Sequence, residues 1–113
     1  MAVEDIGRCV YAIVRAGDEL TGKTVGVAAE HLTGAQLAAG LAEAFGEPVR
    51  YDAVPLDAVR NAPFPGAGAV ANMFQIVTEA NDAYCAHYDV ALSRSLHPGL
   101  RTFTDWAVTS SSR

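Results

Sequence analysis

The chain has 113 residues, half of them hydrophobic and 19% charged, which is the composition of folded protein rather than of a disordered segment. Its net charge is −5, and Lys23 and seven scattered arginines are its only firm cations, which excludes the clustered basic surface that nucleic-acid binding needs. No apolar run approaches the roughly 20 residues of a membrane span, and the acidic start "MAVEDIGR" does not resemble an export signal. Two isolated cysteines, Cys9 and Cys85, fit no disulfide framework, so a cytoplasmic setting with free thiols is expected.

Val3, Ile6, Val10, Ile13 and Val14 recur at helical spacing and predict a helix over residues 3–15 with one buried apolar face. Glu4 and Asp5 in its first turn and Arg15 in its last suit the helix dipole, and Gly17 is its stop. Cys9, beside that stripe, reads as a small buried hydrophobe. "TVGVA", residues 24–28, alternates like a strand. "LTGAQL" offers a capping box, Thr33 answered by Gln36, with a staple between Leu32 and Leu37. The helix it starts should bury Leu37, Leu41, Ala44 and Phe45 and end at Gly46.

"VRYDAV", residues 49–54, alternates again. Strand, helix and strand joined by short links predict a right-handed βαβ unit with parallel strands. The expected fold is therefore α/β: helix-rich, with one βαβ unit at 24–28 and 49–54, an incomplete part of a Rossmann-type fold. A short helix at 56–61 follows, then one from Ala67 to Ala80 burying Val70, Met73, Phe74 and Val77. "YCAHYD" reads as loop, Val90–Leu96 as a short helix and "HPGL" as a turn. Thr102 and Asp105 cap a last helix carrying Phe103 and Trp106, and residues 110–113 form a frayed tail after a domain spanning 1–109.

Gly66-Ala67-Gly68-Ala69-Val70-Ala71 matches the dinucleotide fingerprint G-x-G-x-x-G/A. That motif works only where a buried strand delivers the chain into the turn. Here Pro63-Phe64-Pro65 precedes it, and two prolines in three residues remove the ladder donors of a central strand. The match is false. The dehydrogenase pair Tyr-x-x-x-Lys is absent, as is the G-x-S-x-G elbow of a serine nucleophile. Cys85 and His87 supply two ligands where zinc needs three or four. Glu4 and Asp5, adjacent on a helix, diverge and cannot share a proton-transfer task. His31 and His97 read as polar loop residues. No catalytic residue, cofactor-binding residue or metal ligand is assigned.

The order "EDIGRCV", "LTGAQLAAGLAEAFGEPVRYDAVP", "FPGAGAVANMF" and "SRSLHPGLRTFTDW" resembles the C-terminal part of the NmrA-like family, atypical short-chain dehydrogenase-like proteins, over residues 3–107. The resemblance implies an NAD(P)-binding protein, NADP or NAD, whose cofactor glycines belong to an N-terminal Rossmann half missing from this chain. It implies either a redox-sensing regulator acting through protein contacts or an oxidoreductase-like activity of the whole. Phe64, Asn72 and Phe74 are its candidates for lining the cleft between lobes. The expected partners are that Rossmann half or another protein, with self-association through apolar surface left open.

Overall fold

The computed structural model describes residues 1–111 and folds as helices joined by extended segments. They are α1 (Val3–Ala16), α2 (Gly34–Phe45), α3 (Leu56–Arg60), α4 (Ala67–Glu79), α5 (Asn81–His87), α6 (Val90–Leu96) and α7 (Phe103–Ser111). They divide into two compact units, Met1–Tyr51 with His87–Arg113, and Asp52–Ala86.

In the first unit α1 packs on α6, and α2 on α7. The α1 helix stops at Gly17, which takes the positive φ of 58° that a side chain resists. The capping box of α2 is complete: Thr33 Oγ1 accepts from Gln36 N at 3.3 Å and Gln36 Oε1 from Thr33 N at 2.8 Å. Close packing of α2 on α7 requires Gly40, because a Cβ there would lie 2.8 Å from Thr104 Oγ1 and 3.0 Å from the Phe103 ring. The α7 cap also forms, with Thr102 N donating to Asp105 Oδ2 at 3.2 Å and Asp105 N to Thr102 Oγ1 at 3.1 Å. Glu30 adds a second, distant cap, accepting from Phe103 N at 2.6 Å.

The expected βαβ unit is not present. Among the described residues no strand forms, and the only β-type pairing is a single parallel bridge between Gly26 and Tyr88. The reason lies in where the backbone groups of residues 24–30 go. Ala28 N donates to Ser93 Oγ at 3.0 Å, and Ala29 O accepts from Arg94 Nη2 at 3.4 Å. Side chains of α6 thus take the donor and acceptor that a neighbouring strand would have used. Residues 49–54 are extended but unladdered, and the Tyr51 ring lies directly over the Cα of Gly34. Alternation of apolar and polar residues served extended chain packed on helices, not a sheet.

Three smaller expectations also fail. Residues Tyr84–His87 of "YCAHYD" are helical, within α5. Ser110 and Ser111 belong to α7 rather than to a frayed tail, whose last two residues lie outside the described ones. Most consequentially, the apolar stripes are only partly covered, with Ile13, Leu41, Ala44, Val70 and Val77 half-buried. Val3, Ile6, Val10 and Val14 of α1 are exposed, as are Leu37 and Phe45 of α2 and Met73 and Phe74 of α4. The interior is instead lined by small side chains: Ala2, Ala29, Ala38 and Ala107 in the first unit, Ala67 and Ala71 in the second, with Leu100 the one large aliphatic group among the buried hydrophobic residues.

The second unit is a short helical assembly in which α3 packs on α4. Arg60 on α3 donates to Asn72 Oδ1 at 2.5 Å and to Gln75 Oε1 at 3.1 Å on α4, and Gln75 donates on to Glu79 at 2.8 Å.

Candidate functional site

The most strongly organised polar cluster lies where the N-terminal turn of α1 meets the loop before α7. Asp5 is 1% exposed and Arg101 supplies most of what it needs. Asp5 Oδ2 accepts from Arg101 N at 3.2 Å and from its Nε at 3.1 Å, while Oδ1 accepts from Nη2 at 3.2 Å. The same Nη2 donates to Glu4 Oε2 at 3.1 Å. His97 Nε2 stands 3.6 Å from Asp5 Oδ1, buried and just beyond hydrogen-bonding range.

Burial pushes the Asp5 carboxyl up, but the Arg101 side chain, the Arg101 backbone N–H and the Arg101 and His97 charges more than offset it and hold the group below its ordinary value. Glu4 is held down by a backbone hydrogen bond and by the Arg101 guanidinium. Arg101 in turn holds its proton more firmly, chiefly through Asp5. A carboxylate lowered and saturated in this way is a poor base. The cluster fastens residues 96 positions apart rather than moving protons.

Sequence spacing placed Glu4 and Asp5 as diverging acids and His97 as a loop residue. The structure corrects the first, since the two acids converge on one guanidinium; His97 does lie in the loop after α6, half-buried with its Nε2 3.6 Å from the same carboxylate. Arg101 was missed because its partners are remote in sequence. The available signal was an Asp on the helix side opposite the apolar stripe, which must find a cation if it is buried at all. Cys9, one turn along, is fully buried, as its sequence context predicts. Burial, and then the Asp5 charge, raise its thiol further from ionisation, which makes it inert.

Beside the cluster lies a cavity of about 240 Å³ whose walls include Val3, Glu4, Arg101, Phe103 and Trp106. The Phe103 and Trp106 rings are tilted, with centroids 6.0 Å apart. The second unit has a wider concavity of about 450 Å³ bordered by Leu56, Asp57, Arg60, Gln75 and Glu79. None of the three cleft candidates borders it. Phe64 and Phe74 are about half exposed, Asn72 is engaged by Arg60, and all three belong to the second unit. Cys85 and His87 both sit in α5, and no group of three or more potential metal ligands gathers among the described residues. No described helix is long and apolar enough to cross a membrane.

The glycine segment does not fit a dinucleotide. The chain enters α4 through a turn in which Ala67 N is already taken by Phe64 O at 3.3 Å, and no strand leads into it. Gly66 takes φ 86° as the N-cap, which explains that glycine as turn geometry. A Cβ on Gly68 would meet nothing within 4 Å, so that glycine makes no close approach.

Against this geometry, comparison with protein families matches residues 1–107 to the NmrA-like family. The chain belongs to that family, which is generally NAD(P)-binding. Two of the segments that carried the resemblance, "EDIGRCV" and "SRSLHPGLRTFTDW", are those that the Asp5–Arg101 pair joins in space.

Proposed function

We propose that this chain is the C-terminal, substrate- or partner-facing lobe of an NAD(P)-binding NmrA-like protein, and that the cofactor turn and any catalytic set belong to the Rossmann half of the whole. Whether that whole is a redox-sensing regulator or an oxidoreductase, this lobe contributes surface rather than chemistry. The observation that carries the reading is the number of large apolar side chains left exposed. Alanines fill the interior while Val3, Val14, Phe45, Phe74 and Ile76 are half or more exposed. Large apolar surfaces of that kind are characteristically covered by another protein surface. The free thiols of Cys9 and Cys85 support a cytosolic setting for the whole.

A second reading, a stand-alone interaction module, is favoured by one specific feature. The apolar face of α1 is presented on a helix whose opposite side is fixed by a buried ion pair, so it is a rigid and ready-made docking surface.

NADPH fluorescence tests the proposal. Titrating the 113-residue chain should give no saturable enhancement. A saturable rise at micromolar concentrations would sink the assignment of the cofactor site to another half. Intact mass of the protein from its source separates the two readings: well above 11.9 kDa for a lobe of a larger chain, and 11.9 kDa for a module.

A further inference from the structure

We infer that the 113-residue chain pairs with a second copy of itself through α1, the two helices running antiparallel. The inference rests on the reading of this chain as a lobe that works by protein contact, and it names the partner that covers the α1 face. Val3, Ile6, Val10, Tyr11 and Val14 are 41–79% exposed and recur at three- and four-residue steps along α1. Gly7 lies among them with open space where its Cβ would be, so a second backbone can approach closely at the middle of the face. The opposite side of the helix, Asp5 and Cys9, is buried within the fold and cannot contribute.

Charge selects the partner and its direction. Glu4 and Arg15 share one flank of the apolar face, eleven residues apart, or about 16 Å along the helix. When two identical helices pack antiparallel, like flanks meet, so Glu4 of each copy falls beside Arg15 of the other. Parallel packing would instead press that flank against the side carrying Ala2 and Cys9, which the fold already buries. Arg15 is held only loosely over the Tyr11 ring at 5.8 Å, and the Glu4 side chain, which accepts from Arg101 Nη2 at 3.1 Å, is 69% exposed and open to a second cation. The same face complements itself, as a two-fold pairing requires. One helix from each copy buries an area at the low end of specific interfaces, so the pair is weak and dissociates on dilution.

Sedimentation equilibrium of the intact chain should show a weight-average mass rising from 11.9 kDa towards twice that value as concentration climbs from about 5 µM to about 1 mM. Val10→Glu, at a half-exposed position, should hold the mass at the monomer value with unchanged far-UV circular dichroism. Arg15→Glu places two like-charge pairs across the seam and should weaken association about fivefold. In a Cys85→Ser background, Val3→Cys and Val14→Cys chains mixed together should form the mixed disulfide in preference to either self-pair. A monomer at 1 mM, association indifferent to Val10→Glu, or self-pairing of Val3→Cys would each overturn the inference. A monomer that still binds a hydrophobic dye would do so while leaving the lobe reading intact, whereas saturable NADPH binding would sink the lobe reading whatever the mass.

Discussion

The two units are held by opposite means. The first is fastened by long-range polar contacts: Asp5 with Arg101 across 96 residues, Ser93 with Ala28 across 65, and Glu30 with Phe103 across 73. The second is held by short-range ones, Arg60 with Asn72 and Gln75, 12 and 15 residues away. Burial divides the same way, since the buried polar side chains among the described residues, Asp5 and Ser93, belong to the first unit. A buried charge that loses its partner keeps its desolvation penalty, whereas an exposed group returns to water at little cost. The first unit is therefore brittle towards single substitutions at its fasteners, and the second is tolerant.

The largest break comes from removing one member of the buried pair. Arg101→Ala leaves the Asp5 carboxylate without its guanidinium, and the first unit should be clearly destabilised. Amide hydrogen exchange would read this as lost protection in α1, α6 and α7. Protection in α3 and α4 should be unchanged, and an equal loss there would mean that the two units unfold as one.

Acid offers a milder version of the same break. Asp5 is depressed in the folded chain, so it binds protons more weakly there than when unfolded. The stability it contributes is complete above the ordinary value of 3.8 and is lost as pH falls through the depressed folded value. Glu4 acts in the same direction. Thermal unfolding followed by near-ultraviolet dichroism of Trp106, the single tryptophan, should therefore show a midpoint that drops below about pH 4. Asp5→Asn should blunt that drop, and an acid dependence unchanged in that variant would remove the carboxylate as its cause.

The same contrast explains which features were legible in the sequence. Helix limits written by neighbouring residues could be read, as at the Thr33–Gln36 box, the Gly17 and Gly46 stops and the Thr102–Asp105 cap. What depended on distant partners could not. The alternation at 24–28 predicted a strand, but Ser93 and Arg94 decided where its backbone groups went. The stripe Val3, Ile6, Val10 and Val14 was correct as a helical pattern and wrong as a direction of burial, because Asp5 found Arg101 on the other side. The candidate site shared this fate: Cys9 was placed correctly from its surroundings, while Arg101 and His97 acquire their roles only through the fold. Phe64, Asn72 and Phe74 were put forward from the family motif alone, and the Asn72 side chain is engaged by Arg60.

Arg60 provides the smallest and most discriminating test of the comparison. Its guanidinium joins α3 to α4 through two neutral amide oxygens, and its contact with Asn72 is exposed to solvent. Arg60→Met keeps much of the aliphatic length of the side chain and removes the two hydrogen bonds. Asn72 and Gln75 can turn to water when their donor is gone, so the expected cost to the second unit is about 1 kcal/mol or less. Hydrogen exchange at the α4 amides should then rise no more than about fivefold, against the much larger change in the first unit on losing Arg101. If instead Arg60→Met melted α3 and α4 outright, the second unit would depend on one polar junction as heavily as the first does, and the difference in burial would not be what sets their tolerance.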